Sequence, residues 1–318
     1  MVAVYFSRMS SIAGDPVAPG RSAAVPWPGV WLTDLSLLAM ALIWGVNFTV
    51  VKFATGLLDP LAFNATRVSL AAAVLTVLAA AGVTRWPARR TVLAVMALGA
   101  LGNGLYQVFF VEGLAHTRAG DAALLASSSP AFIALIGRAR GTDRIGRRGW
   151  LGIGLSVLGI GFVAHGTTAA QMGGASLFGD LLILCGSICW AVYTVWLEPY
   201  THTIDGVKLT ALTMIGGAVS LLLVASSRIA VAPWSGLPFS GWSALAFSGI
   251  FALVIAYQFW YRGVRIIGPT RASMYSNLQP VFAVSFAWLV LREVPTGWQG
   301  AGAVAIIAGL FLTRMVPS

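Results

Sequence analysis

Two tyrosine–glutamine pairs stand inside long apolar runs of this chain, each followed by the same spaced residues. Tyr106-Gln107 precedes Gly113, Ala122 and Pro130, and Tyr257-Gln258 precedes Gly263, Ala272 and Pro280. Gly113 to Pro130 and Gly263 to Pro280 both span 17 positions. A phenol beside an amide offers a flat apolar face and several hydrogen-bonding groups, which suits gripping a small solute. Amides and prolines are unfavourable in hydrocarbon, so a repeated set of them marks a lined cavity and not a lipid-facing surface. Such duplicated polar midplanes are the pattern of secondary transporters.

Other residues join the pairs by helical spacing. Asn103, Tyr106, Gln107 and Phe110 share one face, as do Tyr257, Gln258 and Tyr261. Trp44 with Asn47, and Trp190 with Tyr193 and Thr194, repeat the arrangement elsewhere. Aromatic rings flanked by amides suit a solute with an apolar body and a few polar groups. Helix–helix packing is the competing use of these side chains. Trp31, Trp234 and Trp298 lie at segment ends and read as interfacial anchors.

Pro130 and Pro280 fall near mid-segment and act as candidate hinges. Each removes one helical hydrogen bond and clashes with the carbonyl four residues earlier, here Ala126 or Ser276. Ser127, Ser128 and Ser129 flank the first break, and Tyr275, Ser276, Asn277 and Gln279 the second. These groups either meet a solute or satisfy the freed carbonyls. The candidate binding set is Trp44, Asn47, Asn103, Tyr106, Gln107, Ser127, Ser128, Trp190, Tyr193, Tyr257, Gln258, Tyr275, Asn277 and Gln279.

Arg67 is the one arginine expected within a span. Snorkelling outward to pair with Asp59 is the expected role, and binding a solute carboxylate the alternative. No carboxylate is expected at the midplane, and Glu112 is the nearest candidate for proton coupling. Cys185 and Cys189, four apart in an apolar stretch, read as packing residues. His116, His165 and His202 are far apart, and neither an HExxH nor a GxSxG motif occurs. No enzymatic activity, metal or cofactor is expected.

The elements that must hold these residues follow from composition. Of 318 residues 58% are hydrophobic and 9% charged, with a net charge of +10. So few charges exclude a soluble domain of this length. The arginines sit in short loops, not on one basic face, which argues against a nucleic-acid partner. About 20 apolar residues cross a bilayer. Segments of that kind fall at about 35–54, 61–82, 91–113, 119–137, 149–165, 177–198, 207–227, 241–262, 270–291 and 297–315. The expectation is an all-α polytopic membrane protein with ten transmembrane helices. Residues 1–30 read as a flexible cytoplasmic tail, with five-helix units at 31–165 and 166–318.

With the N-terminus inside, fifteen of the twenty Lys and Arg face the cytoplasm and four the outside, leaving Arg67 in a span. Both termini are therefore expected to be cytoplasmic. An odd number of spans per unit makes the second copy enter from the opposite side, which gives inverted repeats. The loop after span 4 carries five arginines, while its counterpart after span 9 carries only Arg292. Trp44 and Asn47 align with Trp190 and Tyr193, and Gly152 and Gly161 with Gly300 and Gly309. Small residues on spans 5 and 10 suggest scaffold helices or a homodimer face.

Ile43-Trp44-Gly45-Val46-Asn47-Phe48, Ala65-Thr66-Arg67, Gly268-Pro269-Thr270-Arg271-Ala272-Ser273, Gln279-Pro280-Val281-Phe282 and Arg292-Glu293-Val294-Pro295-Thr296-Gly297-Trp298-Gln299-Gly300 occur in this order. In order and spacing the chain resembles the EamA-type members of the drug/metabolite transporter superfamily over about residues 35–315. It departs at Gly141-Thr142-Asp143-Arg144, where the family usually places Glu. The resemblance implies movement of small metabolites, such as amino acids or nucleosides, often outward. The expected function is alternating-access transport of small amphipathic solutes across a bacterial inner membrane. A passive facilitator is the alternative.

Overall fold

A computed structural model describes residues 27–141, 146–170, 175–273 and 275–314. Most of the expected N-terminal tail, and the loop at 142–145, lie outside this set. The described residues are helical, with no strand among them. Helices are numbered here in chain order. They are α1 (Trp27–Thr55), α2 (Pro60–Ala81), α3 (Arg89–His116), α4 (Ala119–Ala139), α5 (Arg147–Ala170) and α6 (Ala175–Thr203). They continue with α7 (Gly206–Val231), α8 (Phe239–Ile267), α9 (Pro269–Ser273), α10 (Gln279–Leu291) and α11 (Gly297–Arg314).

Seven of these, α1 to α4 and α6 to α8, are long and apolar enough to cross a membrane by length and composition. Their outer faces carry large apolar side chains. Val77, Leu223 and Val304 are each about 70% exposed or more. Apolar surface on that scale suits lipid and would be a liability in water. The chain is a multi-pass membrane protein.

The starts of α2 and α7 share one device. Asp59 accepts from the backbone N–H groups of Leu61 (3.0 Å) and Ala62 (3.1 Å), with Pro60 at the first helical position. Asp205 does the same for Val207 (3.1 Å) and Lys208 (3.3 Å). Each carboxylate satisfies helix N–H groups that have no partner inside the helix.

Helix α7 packs along α2 and the first half of α3, α6 along the second half of α3, and α1 against α8 and α10. Close approach depends on small residues. A Cβ on Gly217 of α7 would meet Asn103 of α3 at 2.5 Å, and one on Gly113 would meet Ile183 of α6 at 2.9 Å. The small-residue stripes of α5 and α11 pack on each other within the chain. There a Cβ on Gly159 would lie 2.8 Å from the Gly302 carbonyl, and one on Gly309 2.6 Å from Ser156 Oγ.

Two helices depart from the expected continuity. α4 turns at Ser127 and Ser128 just before Pro130. The segment expected as one helix over 270–291 is divided instead. α9 is followed by a 3₁₀ turn, Tyr275–Leu278, before α10, whose last five residues are π-helical. Proline explains both breaks, since it blocks the α-helical bond to the fourth preceding carbonyl.

Candidate solute cavity

A cleft with about 60 Å³ of accessible volume opens between α1, α2, α3, α4, α6, α8 and the α9–α10 region. Its wall includes Trp44, Asn47 and Phe48 of α1, Arg67 of α2, and Tyr106, Gln107 and Phe110 of α3. Trp190 of α6 and Ala252, Leu253 and Tyr257 of α8 continue it. Ala126 and Ser129 of α4, with Ser276 and Gln279, complete it.

Both Tyr-Gln pairs follow a π-helical stretch. The first is Ala100–Leu105 and the second Phe247–Ile255, closed by bonds from the N–H of Tyr106 to Leu101 O and of Ala256 to Phe251 O. A π turn widens the helix by one residue and recurs at functional sites. It also releases carbonyls from the α-helical ladder. Trp44 Nε1 donates to the Ala252 carbonyl within the second stretch at 2.8 Å, which ties α1 to α8.

Aromatic rings form most of the wall. Trp44 and Trp190 meet edge to face with centroids 5.8 Å apart, Tyr106 lies 5.3 Å from Trp190, and Trp44 5.5 Å from Tyr257. Phe110 is stacked on Tyr106 at 5.9 Å. Such pairs are worth about 0.5–1.5 kcal/mol each beyond their burial and hold the rings in place.

The polar side of the wall centres on Arg67, which is fully buried. Its Nε donates to Asn64 Oδ1 (2.9 Å), one terminal nitrogen to Ser248 Oγ (2.5 Å) and the other to Gln107 Oε1 (2.7 Å). Ser248 passes its own hydrogen to Asn47 Oδ1 at 2.7 Å. Asn64 Nδ2 donates to the Gln107 carbonyl at 3.0 Å. The guanidinium lies 5.7 Å from the Phe110 ring and 5.8 Å from that of Phe63. Snorkelling toward Asp59 is therefore not what occurs. Three inward acceptors hold Arg67, and Asp59 pairs with Arg228 at 2.7 Å.

Seven of the fourteen candidate residues stand on the wall: Trp44, Asn47, Tyr106, Gln107, Trp190, Tyr257 and Gln279. Asn103 and Tyr193 form a layer behind it. Tyr257 donates to Asn103 Oδ1 (2.8 Å), Asn103 Nδ2 to Tyr193 Oη (3.4 Å), and the Tyr193 and Tyr261 hydroxyls bond to each other. Thr213 Oγ1 lies 3.3 Å from the Tyr261 hydroxyl and extends this chain to α7.

The remaining candidates lie elsewhere. Ser127 and Ser128 turn their hydroxyls onto the carbonyls of Leu124 (2.5 Å) and Leu125 (2.6 Å). Ser129 Oγ serves Ala126, the carbonyl that Pro130 deprives, at 2.7 Å. Gln258 turns to α7 and donates to Thr210 Oγ1 at 2.7 Å, and Tyr275 donates to Asp34 at 2.6 Å. The side chain of Asn277 lies outside the described residues. Pro130 and Pro280 are buried just past the two helix breaks.

Sequence reasoning also missed a polar cluster where α3 ends and α4 begins. Lys52 Nζ caps the end of α3 through the carbonyls of Leu114 (2.9 Å) and Ala115 (3.1 Å). Glu293 accepts from the backbone N–H groups of Ala119 (3.2 Å) and Gly120 (3.3 Å), opposite Arg118 at 4.0 Å. Thr117 Oγ1 donates to Asp180 at 2.7 Å, and Gln299 to Asp121, and both acids are buried. The Gln299 and Glu293 contacts join segments more than 170 positions apart, so no local pattern reveals them.

Comparison with known proteins agrees over nearly the whole length. An "uncharacterized transporter" of Bacillus subtilis, YyaM, is 28% identical over 87% of this chain and 91% of its own length. Another from Synechocystis is 30% identical, over 88% and 89%. One from Archaeoglobus fulgidus is 29% identical, over 88% and 96%. A solved crystal structure at 20% identity superposes with a TM-score of 0.65, covering 90% of this chain and 98% of that one, and so shares its fold. The profile of the EamA-like transporter family matches residues 31–164 and 177–315. The chain belongs to the EamA-like transporter family.

Proposed function

We propose that this protein carries small amphipathic solutes across the bacterial inner membrane by alternating access, with both termini in the cytoplasm. One observation carries the reading. A cleft with about 60 Å³ of accessible volume is walled by Trp44, Asn47, Tyr106 and Gln107 from the first half of the chain and by Trp190, Tyr257 and Gln279 from the second. Small-molecule sites typically have apolar walls and a few placed polar groups. A site shared between halves can open to either side as the halves rock around it. We take the halves to be two five-helix units of opposite orientation. The change in arginine content between equivalent loops and the duplicated Tyr-Gln pairs support that topology.

Helix breaks at Ser127–Ser128 and at Tyr275–Leu278, each just before a proline, supply flexible points beside the cleft. We assign Pro130 and Pro280 the hinge role on that basis. Outward movement is the direction that the family resemblance implies.

The test uses the full chain in proteoliposomes with a panel of amino acids, nucleosides and aromatic metabolites. Uptake should saturate and be accelerated by solute on the opposite side. Flux that grows linearly with concentration, with no counter-transport, would favour a passive facilitator. No flux of any panel member would overturn the transport reading.

A further inference from the structure

Arg67 is a cation with no ion-pair partner among the described residues. Its three hydrogen bonds all end on neutral oxygens, from Asn64, Ser248 and Gln107. A guanidinium carries five N–H donors. Two are thus left without an acceptor among the described residues, on a side chain that is fully buried yet lines the cleft. A buried charge lacking an opposite partner is unfavourable, and the structure pays for one here at the wall of an otherwise aromatic cavity.

Its surroundings look built to hold the guanidinium in one place. Asn64 is bonded to the α3 backbone, Ser248 is bonded in turn to Asn47, and the Phe110 ring lies alongside at 5.7 Å. An arginine needed only to tie α2 to α3 and α8 would gain nothing from being a cation, since neutral donors could meet the same three acceptors. A held guanidinium with spare N–H groups matches a carboxylate, which can accept two parallel hydrogen bonds. The rings of Trp44, Trp190 and Tyr106 leave an apolar slot for the rest of the molecule.

We propose that Arg67 is the anchor for a carboxylate, and that the cargo is an organic monoanion with a compact, flat apolar body. This rests on the transport reading for its physiological meaning but is tested by binding alone. Cationic amphiphiles are rejected, because their ammonium would face the guanidinium with no acid on the wall to offset it.

The experiment measures quenching of tryptophan fluorescence in the purified full chain by three probes of matched shape. These are phenylpropionate, its neutral amide and the cation phenylpropylamine. The carboxylate should bind at least tenfold more tightly than the amide, and the amine should not bind. Arg67→Lys should keep the preference for the carboxylate, and Arg67→Gln should abolish it. Equal binding of carboxylate and amide by the unaltered chain overturns the proposal without recourse to any variant. So does an Arg67→Gln chain that elutes as a single species and keeps the preference. Flux of the same probes in proteoliposomes separates the two readings. Charge-selective binding without flux sustains the anchor and overturns transport, whereas flux of the amide and amine with no carboxylate preference does the reverse.

Discussion

Tyr106-Gln107 and Tyr257-Gln258 begin from the same two residues and a preceding π-helical stretch, yet they are put to different use. Both tyrosines reach the cleft wall. Gln107 stays with its tyrosine and accepts from Arg67, while Gln258 turns to α7 and donates to Thr210. The partners differ in kind. Arg67 brings a charge to the first half, whereas Thr210 offers only a hydroxyl to the second. A duplicated sequence thus supports one charged cleft wall and one neutral brace. Equivalent position in the two halves does not entail equivalent chemistry.

The comparison breaks most sharply at the glutamines. Gln107→Ala removes the acceptor of a buried guanidinium N–H. Hydrogen bonds to charged groups are worth about 1.5–3 kcal/mol, so solute uptake at equal expression should fall roughly ten- to hundredfold. Equal losses in Gln107→Ala and Gln258→Ala would make the two halves alike after all.

The π-helical stretches offer the next contrast. A Cβ on Gly102 in the first would run into the Tyr193 ring, while one on Gly249 in the second would meet the tip of Leu70 at 3.0 Å. Overpacking a rigid ring costs about 1–3 kcal/mol. Thermal unfolding in detergent should therefore show a clear loss for Gly102→Ala and a smaller one for Gly249→Ala, whose neighbour can rotate away.

Two smaller effects follow. Tyr257→Phe leaves Asn103 Oδ1 without its donor, and a lost neutral hydrogen bond lowers stability by about 1 kcal/mol. The wall ring remains, so uptake should fall only severalfold. Gln258→Ala should cost a similar amount of stability through Thr210 and change uptake by no more than about twofold, the smallest effect of the set.

The apolar runs and their loops are legible in the sequence because burial in lipid demands about 20 apolar residues per crossing. Trp44, Asn47, Tyr106, Gln107 and Trp190 were also readable as candidates, since three-and-four spacing places them on one face each. Gln258 was not separable from Gln107 that way. Both pairs follow a π-helical stretch, and the shared local sequence does not say which neighbouring helix each amide meets. The serines beside Pro130 carried both possible uses in their type alone, and only the geometry shows their hydroxyls taken up by Leu124, Leu125 and Ala126. The partners of Arg67 are not legible in the sequence because two of its acceptors, Gln107 and Ser248, lie 40 and 181 positions away. Helical period says which residues share a face but not which helices meet.

Access from both sides is the claim on which the transport account depends, and Ser129 on the cleft wall reports it directly. With Cys185 and Cys189 replaced by alanine, Ser129→Cys can be challenged with a membrane-impermeant thiol reagent in right-side-out and inverted vesicles. Labelling from both faces, slowed by transported solute, is the result expected of a cavity that opens alternately. Labelling confined to one face, with or without solute, would contradict it.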